Sequence, residues 1–299
     1  MLLFRNRILK DTWSTIWMWC CFGLVVLLPF LLASGLYYKS SLIFRHESLG
    51  ELLFSGNWKP LEGKFGFKPF IISSVWVSLI ALAISGPICL LTAIFLTQYA
   101  KKWVLKFMHP VIDILSGLPS VVYGVWGIII IVPFIEKTIA PIFHVQTSGY
   151  SILAGSIVLS VMIIPFILNI NIDIFKSIPL ELKEASLSLG ATEWQTIKRV
   201  LVKKAYPGII SSFGLGLARA FGETIAVLMV VGNVIKIPHS VFDPGYPLPA
   251  LIANNYGEMM SIPMYDSALM FAAFILLFIV LFFNFITRIL IYQTQKTSK

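Results

Sequence analysis

Apolar residues run through this chain in six long blocks separated by short polar segments. The blocks fall at about 15–36, 71–96, 111–135, 152–171, 208–232 and 267–291. Each reaches the roughly 20 residues that an α-helix needs to cross a bilayer core. The blocks are continuous rather than alternating, which excludes the short period-two segments of a membrane β-barrel. The pattern predicts an all-α polytopic membrane protein with six transmembrane helices, organised as a single domain over 1–299. Composition agrees: 58% of residues are hydrophobic and 12% charged, against about 25% charged in a soluble domain. Residues 39–70 are too few to fold alone with confidence. Residues 233–266 carry five prolines (Pro238, Pro244, Pro247, Pro249 and Pro263) and predict an irregular loop.

Basic residues sort to one side of these blocks. One set of connections and both termini hold fifteen Lys and Arg; the other set holds seven. The positive-inside rule therefore places both termini in the cytoplasm. The net charge of +9 reads as a topology signal. It does not point to nucleic acid, because the cations are scattered between spans instead of clustering on one soluble face. The first block is too long for a signal-peptide core and is expected to remain as a span.

The fourth connection, 179–205, has helix signals. Pro179 suits a helix start. Gly190 suits the left-handed position that ends one. Thr192 and Gln195 have capping-box spacing and open a second helix through Trp194, Ile197 and Leu201. The result is a helix–glycine turn–helix bearing Lys183, Lys198, Arg199, Lys203 and Lys204. Two readings fit: a basic hairpin lying on anionic lipid, or a docking element for a cytoplasmic partner.

Chemistry is sparse. No P-loop, zinc-protease or nucleophile-elbow motif is present, so an enzyme has no constellation to stand on and no cofactor or metal is expected. Cys20, Cys21 and Cys89 lie inside spans as apolar filler. His46, His109, His144 and His239 are dispersed near span ends. The fifth block is different. Gly208, Ser212, Gly216, Ala220 and Thr224 form one row of small residues, and Gly214, Ala218 and Gly222 another. Such rows let helix backbones approach closely in lipid. Arg219 and Glu223, four residues apart, would share a face of a continuous helix. Arg219 would sit roughly 16 Å into the membrane, where a charge defaults to function. Its planar fork suits an oxyanion. The competing reading is a buried structural ion pair. In the third block Pro119 and its neighbouring glycines interrupt the helix, so that Ser120 and Tyr123 could face a polar path. Pro110 and Asp113 read as the start of that helix.

Residues 184–190 read E-A-S-L-S-L-G. This resembles the cytoplasmic signature of binding-protein-dependent ABC importer permeases, with Glu184, Ala185 and Gly190 in place and Ser186 substituting. Residues 118–127 (L-P-S-V-V-Y-G-V-W-G) and 219–233 (R-A-F-G-E-T-I-A-V-L-M-V-V-G-N) are more specific. They resemble the C-type permease subunits (PstC) of phosphate-specific (Pst) import systems. The likeness spans about 70–290. It implies a type I, MetI-like permease fold whose hairpin at 179–205 is the coupling element, with Glu184, Ala185 and Gly190 contacting an ATPase. It also implies a substrate path through Arg219, Glu223, Ser120 and Tyr123. The implied partners are a second, PstA-like permease, PstB-like ATPase subunits, a PstS-like phosphate-binding protein, inorganic phosphate and the lipid bilayer. ATP hydrolysis would reside in the separate subunits. An A-type Pst permease or a permease for another oxyanion is the alternative. A stand-alone channel would not need the hairpin.

Overall fold

The computed structural model describes residues 2–258 and 261–297, with side chains described for 11, 13–258 and 261–294. The tail cations Arg5, Arg7, Lys10, Lys296 and Lys299 lie outside the described side chains. The helices in chain order are α1 (Leu2–Lys39), α2 (Leu49–Phe54), α3 (Lys68–Ile94), α4 (Lys102–Gly117), α5 (Ser120–Trp126), α6 (Val132–Phe134) and α7 (Ala140–Ile142). They continue as α8 (Ile152–Lys176), α9 (Leu180–Ser188), α10 (Glu193–Thr196), α11 (Val202–Gly222), α12 (Ile225–Leu228), α13 (Leu248–Asn255) and α14 (Pro263–Thr297). A two-stranded antiparallel hairpin, β1 (Trp58–Lys59) and β2 (Lys64–Phe65), pairs Trp58 with Phe65.

Among the described residues, five helical segments are long and apolar enough to cross a membrane: Trp13–Arg45, Lys68–Tyr99, Ser120–Ile142, Ile152–Lys176 and Pro263–Thr294. The fifth expected span, 208–232, exists as two pieces, because the helix stops at Gly222 and resumes at Ile225. The third expected span starts later than the apolar run. Its first residues belong to α4, whose polar and apolar residues lie on separate faces, and the chain breaks at Leu118 and Pro119 before α5. Pro110 is therefore inside α4 and Asp113 is past its first turn, correcting the expectation that they open a helix. Apolar run length could not distinguish a span from an amphipathic helix joined to one.

The centre is α8, wrapped by α3 and α11. Val77, Ala81, Cys89, Leu159, Ile163, Ile167, Ile172 and Ile209 form its buried core. Lipid offers no hydrophobic drive between helices, so close packing and polar bonds must hold them. The small-residue rows serve that purpose within this chain. At Gly216 an added Cβ would come within 2.6 Å of the Ile167 side chain. The Ser212 hydroxyl donates to the Asn171 carboxamide oxygen at 2.8 Å, in a fully buried position.

Among the described residues, four π-helical turns punctuate the helices: Phe95–Tyr99, Gly127–Ile131, Ile135–Ile139 and Ile197–Leu201. Two precede Pro133 and Pro141. A proline ring would meet the carbonyl four residues back in a regular helix, and the wider turn relieves that contact.

The connections 39–70, too short to fold alone, and 233–266, expected to be irregular, are both folded against the bundle. Trp58 sits in a ring of aromatics, with centroids at 5.4 Å from Phe65, 5.2 Å from Phe67, 4.9 Å from Phe70 and 5.9 Å from Tyr265. Edge-on pairs of this kind add about 0.5–1.5 kcal/mol each beyond burial. Within 233–266, α13 packs with Tyr246, Leu248, Ala250 and Leu251 buried in the same cluster. Residues 39–70 thus gain from α13 and α14 the core they lack alone.

Asp243 orders the preceding turn. Its Oδ2 accepts from the backbone N–H groups of His239 at 2.9 Å and Ser240 at 3.0 Å. The His239 bond, against partial burial and with help from Ser240 and Lys236, holds the carboxyl below its ordinary value. A lowered folded value means stability that is present above the unfolded pKa and lost as pH falls through the folded one. Asp243→Asn should therefore destabilise the purified protein by about 1 kcal/mol at neutral pH. The difference from wild type in thermal melting should vanish in acid; a difference that grows in acid would refute the assignment.

Candidate functional site

Two regions bring the sequence-nominated residues together. The first is the pair of helix breaks. At the α4–α5 break, the Tyr123 hydroxyl donates to the Leu115 carbonyl at 2.7 Å, and Tyr123 is only 5% exposed. The carbonyls at the end of α4 have no helical partners, and this phenol satisfies one of them. Ser120 opens α5 and is half-buried. Gly124 lets α5 lie on α12: a Cβ there would be 3.3 Å from Ala226 Cα and from Met229 Cβ.

At the α11–α12 break, Glu223 is extended (φ −75°, ψ 130°) and closes α11. Its Oε1 accepts from the Ala226 N–H at 3.2 Å. Because the helix ends at Gly222, Arg219 and Glu223 do not share the face of one helix, and among the described residues they form no ion pair. That corrects the expectation of a continuous helix with an Arg–Glu pair. Arg219 instead places its guanidinium 5.0 Å from the centre of the Phe166 ring on α8. It is half-buried. Among the described residues its donors meet no carboxylate and make no hydrogen bond. Phe166 had no signal in the sequence that would have marked it.

The second region is the hairpin. Helix α9 ends in a Schellman arrangement: Ala191 N–H donates to Ser186 C=O at 3.3 Å and Gly190 N–H to Leu187 C=O at 2.9 Å. Gly190 has φ +80°. Thr192 and Gln195 make the expected capping box. The second helix is longer than expected, running through α10 and a π-turn directly into α11. Glu184, Ala185 and Gly190 are all exposed. So are Leu180, Leu182, Leu187, Leu189 and Trp194, with Leu189 at 89%. An exposed apolar tip flanked by cations has the character of an interaction surface.

Residues 87–296 match the family model of the binding-protein-dependent transport system inner membrane component. The chain belongs to this family. It is 45% identical over 210 residues to the probable ABC transporter permease protein YqgH of Bacillus subtilis (strain 168), covering 70% of this chain and 66% of that protein. It is 31% identical over 316 residues to the phosphate transport system permease protein PstC of Haemophilus influenzae, covering 100% of this chain and 99% of that protein. In fold it is similar to an inward-facing structure of the MetNI methionine ABC transporter, with TM-score 0.56 and 20% identity over 76% of this chain and 97% of that one. The fold is therefore that of a MetI-like ABC importer permease, and the chain is a multi-pass membrane protein.

The geometry of Gly190 yields a test. Nothing lies within 4 Å of a Cβ built there, so a substitution acts through backbone strain alone, about 1–2 kcal/mol for a left-handed L-residue. Gly190→Val should leave insertion intact and loosen the tip, reducing co-purification of any protein docked on it. Unchanged co-purification would show that the tip is not the contact.

Proposed function

We propose that this chain is a permease subunit of an ATP-driven ABC importer for inorganic phosphate, forming the translocation path with a second, PstA-like permease. PstB-like ATPase subunits bind the exposed tip through Glu184, Ala185 and Gly190. A PstS-like binding protein delivers phosphate from the opposite side. Both termini and the hairpin at 179–205 face the cytoplasm. The likeness to PstC over the whole chain supports phosphate as cargo.

The observation that carries the reading is Arg219: a half-buried guanidinium on a helix of the bundle that, among the described residues, meets no carboxylate and rests against an aromatic face. A cation in that state is stabilised by an arriving anion, and its fork matches two oxygens of a tetrahedral oxyanion. The Phe166 face keeps the guanidinium oriented without neutralising it. Glu223 fixes the break just beyond it through Ala226. Its negative charge, close in sequence to Arg219, opposes tight anion binding so that the ion can leave. Ser120 lines the other side of the path, whereas Tyr123, expected beside it, is buried with its hydroxyl bonded to the Leu115 carbonyl and shapes the break from behind.

Alternating access follows from this layout. ATP-driven closure of the ATPase pair moves the hairpin, and α10 and α11 form one helical rod with a π-turn in it, so the push reaches the Arg219 turn directly. A reporter fused after Lys198 should be cytoplasmic and one within 243–249 external, by the positive-inside rule; the reverse pattern would overturn the orientation.

Arg219→Ala should lower phosphate uptake by at least about tenfold while the complex still assembles, the loss expected for a charged hydrogen-bonding partner. Arg219→Lys should restore only part, since a point charge lacks the fork. Glu223→Gln keeps an acceptor for Ala226 and should assemble normally with altered uptake. Co-purification measured beside uptake decides the case. Assembly lost in step with transport would mean that Arg219 holds the fold rather than the anion.

A further inference from the structure

Helix α9 is exposed along most of its length, yet two polar bonds hold it, and each leads to a π-turn. On one side the Ser186 and Thr196 hydroxyls lie 2.9 Å apart. Thr196 is fully buried and immediately precedes the π-turn Ile197–Leu201, whose Ile197 and Leu201 are buried in the core. On the other side Lys183 Nζ donates to Gln98 Oε1 at 3.2 Å. Gln98 lies in the π-turn Phe95–Tyr99 that ends α3. Its Nε2 donates to Thr97 Oγ1 at 3.3 Å, and Thr97 Oγ1 donates to the Ala93 carbonyl at 2.8 Å. The bonds form an unbroken chain from the hairpin to the backbone of α3. Among the described residues, Lys183–Gln98 is the side-chain hydrogen bond that joins α9 to a separate membrane-spanning helix.

From this geometry we infer that Lys183 and Gln98 form a clasp that makes α3 move with the hairpin, so that one stroke of the ATPase displaces α3 and α11 together. The inference rests on the functional reading above and adds two positioning residues to it. The mechanical need is plain. The covalent chain links α9 onward to α11 through the Gly190 turn and α10. It does not link α9 to α3, which lies on the other side of α8 in sequence. Without a bond across that gap, a pushed hairpin could slide past α3. The bond is partly buried and charge-assisted, so it resists exchange with water better than an exposed pair would. The π-turns supply compliance where each span meets the hairpin, since their wider winding is less regular than the α-helix on either side.

The experiment uses the complete importer in proteoliposomes, comparing wild type, Gln98→Ala, Lys183→Met, the double variant and Gln98→Glu. Phosphate taken up per ATP hydrolysed is measured beside subunit co-purification. In parallel, spin labels at Glu181 on α9 and Leu91 on α3, on a background free of native cysteines, report their separation with and without ATP. In wild type that separation should stay constant, because the two move as one body. In Gln98→Ala it should change with ATP, and uptake per ATP should fall about tenfold, the scale of one charge-assisted hydrogen bond. The hydrolysis rate and assembly should persist. The double variant should be no worse than either single one, since both remove the same bond. Gln98→Glu should restore the clasp as an ion pair. Constant separation and normal uptake per ATP in Gln98→Ala would overturn the inference, as would additive losses or loss of assembly. Should the wild-type complex move no phosphate at all, the cargo assignment fails, while the label separations still decide the clasp.

Discussion

A peptide group inside a bilayer has no water to turn to, so a helix that stops at membrane depth must satisfy its own loose ends. This chain stops two helices beside each other, after α4 at the start of the third span and after α11 within the fifth apolar block, and meets the demand with side chains. Tyr123 supplies a hydroxyl to the Leu115 carbonyl. Glu223 supplies a carboxylate oxygen to the Ala226 N–H. The two short helices beyond the breaks, α5 and α12, then pack through Gly124 with almost no room for a Cβ. The remaining architecture serves to hold these breaks in register. Helix α8 is buried between α3 and α11 and provides the Phe166 face on which Arg219 rests.

That constraint explains why Arg219 and Glu223 are separated. On an unbroken helix they would neutralise each other, and a neutral pair gives an anion little reason to enter. Breaking the helix at Gly222 spends the carboxylate on the backbone and leaves the guanidinium facing a ring. An unpaired cation is costly at depth, and the quadrupole of Phe166 offsets part of the cost without adding negative charge. The same break that closes α11 thus keeps the cation available to an anion.

Much of this was legible in the sequence. The apolar blocks located the spans because bilayer thickness fixes their length, and the turn at Gly190 and the capping box at Thr192 were readable because their geometry is local. The Arg–Glu contact was misread because a spacing of four implies a shared face only while the helix continues, and nothing in R-A-F-G-E-T requires a break after the glycine. The start of the third span was misread for a related reason: α4 is apolar on one face and was absorbed into the apolar run beside it. The aromatic cluster around Trp58 was invisible because its members come from residues 58–70, 246–251 and 265–275, and sequence adjacency says nothing of that meeting.

Helix α1 poses a final question of packing. Its most apolar window has no buried residue within this chain, and Trp13, Trp17, Trp19 and Phe22 are exposed along it. Near its end Tyr37 meets Phe44 at 5.6 Å and Phe274 at 6.1 Å. In lipid such a helix is stable without partners, since tails solvate its side chains as well as protein would. Its exposure is therefore compatible with an anchored but peripheral first span, tethered at one end to the aromatic layer. The breaks that shape the proposed path lie elsewhere, in α4–α5 and α11–α12, so the path does not require α1 to be packed against them. Peripheral anchoring and central gating can be separate properties of separate helices because each span satisfies its own backbone.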